Sequence, residues 1–516
     1  MNFNKKLAAA VSSAVLLMAG QVALADSSTD IVDALVSKGV LTEEEGKLIT
    51  KGHTSKVSVT PVVKEKDGAF TLESANARNS ISLTGRMHLD YRDSDIDGTL
   101  GAAASTDRDT ASMTDQFELR RARIGVKGKL AKDFKYEIVT NIPGTATVDI
   151  AYLDFARYDQ VQIRAGKFKQ PFGLEQLISS NNITMMERSY NDQTVPGKKL
   201  GLQVMGSPFT GTTYAGSIFQ NNDTELNISA DGKSSLAARG TINFAELIGN
   251  KEMVMHVGLA GLDNSYAVNA SSSSQTTSGA DDTTLRGTIS SFRSAGRGMN
   301  NIFRGQVASQ TFCATAAYSC VSEVPLSVNQ RSYGLEGIFA TGPFKLMGEY
   351  SAGRYKGTGD GQTKYDTKTY YLEAGWFITG EKYASSYKNG VFSSFKPTNE
   401  FDLDKGHFGA VELAFRAEAF DVDNIDISGP NIGAGRVQGA LSSYTRDSNT
   451  SNTGVGVSSG AKTYTTGLRW ILNSNIVLKA NYAYSKFDHA FAPIDVVGAG
   501  LIKDEKLLMF RTQYMF

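Results

Sequence analysis

From Ser80 to Phe516 the chain alternates oily and polar side chains with a period of two. Ile81, Leu83, Gly85, Met87, Leu89 and Tyr91 interleave with Ser82, Thr84, Arg86, His88, Asp90 and Arg92. Successive side chains of a strand point to opposite faces, so one face of this segment is greasy and the other charged. The pattern recurs at Ala122, Ile124 and Val126 against Arg121, Arg123 and Lys127. It recurs again at Val161, Ile163 and Ala165 against Gln162 and Arg164. Near the end, Leu468, Trp470 and Leu472 stand against Arg469. A chain built this way folds as a sheet with one apolar face throughout.

The repeats predict sixteen strands: 80–92, 115–130, 133–142, 147–157, 160–168, 199–206, 212–220, 235–246, 252–262, 331–340, 343–355, 366–379, 407–420, 462–473, 475–486 and 504–516. Segments 147–157 and 212–220 alternate least cleanly. Connections of a few residues, such as Ala131–Asp133, Thr341–Gly342 and Asn473–Ser474, take turns with long ones: 93–114, 169–198, 263–330, 421–461 and 487–503. Short turns on one side and long loops on the other belong to a transmembrane β-barrel. A soluble sandwich would alternate too, but not in loop length. Segment 380–406 breaks the rule, being long where a short turn is due.

Both ends of the chain agree with export and closure. Lys5 and Lys6 precede an apolar run from Leu7 to Met18, and Ala23-Leu24-Ala25 stands before Asp26. This is the pattern of a cleaved secretory signal over residues 1–25, with the cut between Ala25 and Asp26. Residues 26–79 hold a short helical segment, with Thr42 and Glu45 spaced as a capping box, and a linker to the barrel domain, 80–516. At the other end Phe510, Tyr514 and Phe516 share one face. A terminal aromatic on such a strand is the signal read by the barrel-assembly machinery of bacterial outer membranes. The last strand must pair with the first, since lipid cannot satisfy an open sheet edge. The expected location is the outer membrane of a Gram-negative bacterium.

Composition narrows the function. Lys plus Arg equals Asp plus Glu at 53 each, without the basic excess of a nucleic-acid binder. Mean hydropathy of −0.23 excludes a bundle of membrane helices. The five His are dispersed and fall in no metal or hydrolase motif, so no enzyme and no cofactor is expected. Two Cys, Cys313 and Cys320, lie close together in the longest loop, and an oxidising compartment permits a disulfide between them.

A sixteen-stranded barrel is wide enough for an aqueous channel, lined by the charged face. Connection 169–198 follows the fifth strand and carries Lys169, Glu175, Glu187, Arg188 and Lys198, and it is expected to fold inward and narrow the pore. Arg86, Arg121, Arg123, Lys127 and Arg164 are expected to face the lumen near it. Together with Lys169 and Arg188 they form a candidate anion filter, since rings of Arg and Lys favour anions and the planar guanidinium suits phosphate oxygens. The same charges could instead solvate the wall or pair with inward acids such as Asp90, Glu336, Glu349, Glu373, Glu412 and Glu418. The Ser/Thr-rich connection 263–330 leaves a second reading open, a surface adhesin or receptor with little conductance.

Several motifs carry a resemblance. The run Gly166-Lys167-Phe168-Lys169-Gln170-Pro171-Phe172-Gly173-Leu174-Glu175, continuing to Met186-Glu187-Arg188, resembles the phosphate-selective porin O/P family. So do Phe117-Glu118-Leu119-Arg120-Arg121-Ala122-Arg123, Gly375-Trp376-Phe377 and Leu468-Arg469-Trp470. The resemblance implies a sixteen-stranded homotrimeric porin in outer-membrane lipid that passes small anionic or polar solutes. It also implies a role in carrying phosphate for arginines near Arg121, Arg123 and Arg188.

Overall fold

A computed structural model describes residues 60–66, 69–99, 116–221, 234–272, 282–294, 302–312, 323–358, 362–428, 458–491 and 501–516, with parts of 32–48. The signal segment, Ala25, Asp26, Cys313 and Cys320 lie outside the described residues.

Two compact units are present, one made of residues up to Leu83 with Val126–Lys135, the other of the remainder. In the first, the capping box forms as its spacing requires. The Thr42 amide donates to Glu45 Oε2 at 2.9 Å and the Glu45 amide to Thr42 Oγ1 at 3.2 Å. A hairpin of Val62–Lys66 and Ala69–Glu73 follows, and Leu72 pairs with Ile81 at the start of the first barrel strand.

Sixteen strands form a closed antiparallel barrel. They are β1 Ser80–Thr99, β2 Gln116–Leu130, β3 Phe134–Asn141, β4 Thr147–Phe155, β5 Gln162–Lys169 and β6 Lys198–Gly206. Next come β7 Thr212–Gln220, β8 Ser235–Asn243, β9 Met253–Ser272, β10 Glu323–Thr341 and β11 Phe344–Thr358. The last are β12 Gln362–Phe377, β13 Ala410–Ser428, β14 Gly460–Ile471, β15 Ile476–Phe491 and β16 Leu501–Met515. Each predicted segment is a strand, including the two that alternate poorly. β16 closes on β1 from Met515 opposite Arg86 to Leu501 opposite Thr99. The seam is tight at its end, where Gly85 and Phe516 exchange backbone hydrogen bonds of 3.0 and 3.1 Å. A Cβ on Gly85 would lie 2.4 Å from the Phe516 ring and 3.0 Å from the Arg123 carbonyl, so a side chain there has to displace that ring.

The outer face is apolar. Leu200, Leu202, Val257, Leu259, Phe415 and Leu468 are all exposed, as a lipid-facing surface requires. The inner face buries His88, Asp90, Arg92, Glu412, Arg416 and Arg511. The protein is therefore turned inside out, with polar groups within and oil outside.

Among the described residues, three connections fold into the tube. The first is 170–197, as the sequence predicts. The second is the stretch 263–330, which is not a plain loop. β9 continues to Ser272 and β10 begins at Glu323, and between them stands a hairpin of Asp282–Phe292 and Phe303–Phe312. Its Phe292 stacks on Phe420 of β13 at 4.1 Å, and Phe420 meets Tyr190 of the first inward loop at 4.9 Å. The third is 380–406, which the strand pattern leaves unplaced. Tyr383 donates to Glu412 at 2.6 Å, the Tyr387 hydroxyl meets His256 Nδ1 at 2.8 Å, and Arg239 donates to the Gly390 carbonyl at 2.8 Å. This segment thus starts between β12 and β13 and reaches β8 and β9. Its oily residues, Phe392 and Phe395 among them, pack on Phe377 and Tyr383 instead of turning out to lipid.

Candidate functional site in the barrel lumen

The inward loop 170–197 is fixed to the wall by side chains from many strands. Glu349 of β11 accepts the Leu174 and Glu175 amides, both at 2.7 Å, and Glu418 of β13 accepts the Tyr190 amide at 2.7 Å. Lys479 of β15 donates to the Ile183 carbonyl at 2.6 Å, and Gln513 of β16 to Asn181 at 3.0 Å. The tightest knot surrounds Glu187. Arg120 reaches it at 2.9 Å, Arg511 at 2.9 Å, Arg92 at 3.5 Å and Arg121 at 3.7 Å. Arg511 also binds Asp90 with both prongs, at 2.6 and 2.7 Å, and donates to the Met186 carbonyl. Four guanidinium groups on one buried carboxylate hold the loop at a set depth.

Arg120 is a residue that the alternation misses. It stands next to Arg121, and strict alternation would send one of them to lipid. Both reach Glu187, so the pattern is interrupted between them. The doubled arginine in Arg120-Arg121-Ala122-Arg123 is the only sequence signal of it.

Most inward charge is paired off. Arg239 binds Glu336 at 2.5 Å, Lys345 binds Glu373 at 2.8 Å, Arg416 binds Glu418 at 2.9 Å and Arg469 binds Glu412 at 2.8 Å. Arg164, one of the expected filter residues, is also neutralised. It forks onto Asp154 at 2.7 and 2.8 Å and lies 3.8 Å over the Tyr152 ring. Lys127 is exposed and falls in the N-terminal unit, not in this cluster.

A different situation holds where the loop begins and ends. Arg86 has only hydroxyl partners in the loop, Ser179 at 3.3 Å and Ser180 at 3.0 Å. Lys169 donates to the carbonyls of Leu177 and Ile178 at 3.1 and 3.0 Å. Arg188 donates to the Glu175 backbone carbonyl and to the same Ile178 carbonyl, both at 2.8 Å. Two cations thus converge on one carbonyl oxygen. Arg123 meets Asp149 at 2.9 Å, and Lys198 binds that same carboxylate. Each of Arg86, Lys169 and Lys198 lies within the repulsive field of others in the group. Among the described residues, two carboxylates, Asp149 and Asp192, lie within 4 Å of these five cations. The site therefore keeps a positive excess, and an anion there lowers the energy of every member. Of the seven expected residues, Arg86, Arg123, Lys169 and Arg188 belong to this cluster. Arg121 sits beside it in the Glu187 knot, and Lys198 is the member that was read only as part of the connecting loop.

A wide barrel, an inward loop and a charged lumen define an outer-membrane porin. The model of the family "Phosphate-selective porin O and P" matches residues 81–516, and the chain belongs to that family. Porin O of Pseudomonas aeruginosa is 26% identical over 439 residues, covering 83% of this chain and 87% of that protein. Among solved structures, an anion-selective porin from Comamonas acidovorans matches with TM-score 0.43 at 12% identity, covering 85% of this chain and 100% of the other. The trimer form of OmpT from Vibrio cholerae matches with TM-score 0.45 at 7% identity, covering 85% of this chain and 99% of that one.

Proposed function

We propose that this porin passes small anions of the phosphate class by passive diffusion, and that Arg86, Arg123, Lys169, Arg188 and Lys198 form its filter. The observation that carries this reading is the excess of cations over carboxylates at that one place, in a lumen whose other charges are largely matched. Arg121 serves the filter as a neighbour, through its contact with Glu187. Arg164 and Lys127 act outside it, Arg164 by bracing β4 against β5. The site needs no cofactor and catalyses no reaction.

We propose as well the following course for the exported protein. Cleavage between Ala25 and Asp26 releases the exported protein, residues 26–79 stay on the periplasmic side, and the assembly machinery reads Phe516. The working unit is a homotrimer in outer-membrane lipid. Cys313 and Cys320 form a disulfide in the long connection.

Planar-bilayer recording of the purified protein tests the filter. Reversal potentials in a KCl gradient are expected to show anion preference, and phosphate is expected to lower chloride current by occupying the site. Cation preference, or chloride current indifferent to phosphate, overturns the proposal. An adhesin would give no conductance.

A further inference from the structure

The outer wall carries a second charged feature that the channel does not use. On β10, β12, β14 and β15 an outward tyrosine is followed, two residues nearer the long-loop end, by a cation: Tyr333 by Arg331, Tyr370 by Lys368, Tyr464 by Lys462 and Tyr484 by Lys486. Tyrosines at this level mark the membrane interface. The cations therefore stand at the depth of the head groups of the outer leaflet.

The register places several of these cations face to face. Arg331 is directly opposite Arg354, Lys356 opposite Lys364, and Lys462 opposite Lys486. Directly opposed side chains on an antiparallel pair are about 5 Å apart at Cβ, and like charges there are destabilising. The arginine pair is relieved by flanking acids, Asp263 at 3.3 Å from Arg331 and Asp366 at 2.7 Å from Arg354. The lysine pairs have acids beside them only at register positions, Asp426 of β13 next to Lys364 and Asp504 of β16 next to Lys486. Among the described residues no carboxylate lies within 4 Å of Lys356, Lys364, Lys462 or Lys486. Asp504 faces Lys486 across β15 and β16 without closing to that distance. β13 interrupts the band with Asp421 and Asp423, the latter bound to Lys368 at 2.6 Å.

We infer that the outer rim of β11, β12, β14 and β15 is a docking surface for phosphorylated lipid head groups of the outer leaflet. A phosphate seated between Lys462 and Lys486, or between Lys356 and Lys364, turns a repulsive pair into a clamp with two donors. The acyl chains of the same lipid then run down the apolar wall below the tyrosines. Charge and position favour this occupant. The partner carries anionic oxygen at the interface and hydrocarbon beneath it, in the order in which the wall presents lysine, tyrosine and leucine.

The test uses the full-length protein in detergent, mixed with diphosphoryl lipid A or with dephosphorylated lipid A, and native mass spectrometry to count retained lipid. Retention of the diphosphoryl form is expected to exceed that of the dephosphorylated form. The double variant Lys462→Gln/Lys486→Gln is expected to retain it about thirtyfold less well, each lysine contributing about 1 kcal/mol at a charged interface. Lys462→Arg/Lys486→Arg restores retention and shows that the glutamine variant did not fail through folding. Equal retention of both lipids, or glutamine variants that retain as much as the parent protein, overturns the inference. Displacement of the lipid by millimolar inorganic phosphate overturns it as well, because the surface then reads free phosphate. Reversal potentials are expected to stay the same in these variants, so the result stands apart from that of the filter.

Discussion

The filter makes a quantitative prediction at Arg86 and Lys169. Both donate only to neutral oxygens, so removing either charge strands no carboxylate. Replace each by glutamine. A unit charge about 5 Å from a permeating ion in water contributes about 0.8 kcal/mol, and screening at about 0.1 M salt lowers this to about 0.5 kcal/mol. The same charge attracts an anion and repels a cation, so losing it changes the permeability ratio by about 1 kcal/mol, or about fivefold. Arg86→Gln and Lys169→Gln are each expected to lower the anion-to-cation ratio by that factor. The double variant is expected to lower it by about twenty-five-fold if the two act independently. The measurement is the reversal potential of single channels in a KCl gradient. A double variant with the parent's reversal potential would refute the claim that this cluster sets selectivity, whatever the channel's conductance.

Other elements give predictions of their own. Glu187→Gln leaves four guanidinium groups, three of them buried, short of their shared carboxylate and is expected to destabilise the loop by about 3–5 kcal/mol. It also makes the lumen more positive, so noisier current with raised anion preference is expected, and quiet current would argue against a pinning role. Gly85→Leu should lower the yield of heat-modifiable barrel seen on gels, because its side chain meets the Phe516 ring at the seam; an undiminished yield would refute that close approach. Replacing 381–405 by a short turn should raise single-channel conductance, and unchanged conductance would show that this segment does not narrow the tube.

The strands and the inward loop were legible in the sequence because both follow from local pattern. A period of two is visible within each segment, and 169–198 stands out as a charged run between two clean strands. The pairing of charge was not legible. Arg239 and Glu336 are 97 residues apart and Arg511 and Asp90 are 421 apart, and only strand register and barrel closure bring them together. Alternation therefore put seven cations into one candidate filter near the inward loop, whereas the fold brings four of them together with Lys198 and pairs Arg164 off with Asp154. Arg164 shows the limit most plainly. Its lumen-facing position could be read from alternation, but its neutralisation by Asp154 depends on how β4 meets β5. Segments 282–312 and 380–406 eluded the pattern for another reason. Their oily residues pack inside a mostly polar tube, a setting with no period of its own.

The final strand does two jobs at once. Arg511 and Gln513 tie down the loop that narrows the channel, and the same few residues zip the sheet shut against the first strand. Sealing the wall and completing the anchorage of the loop are therefore one event. A polypeptide halted before its last ten or so amino acids would lose the seal and these two ties together.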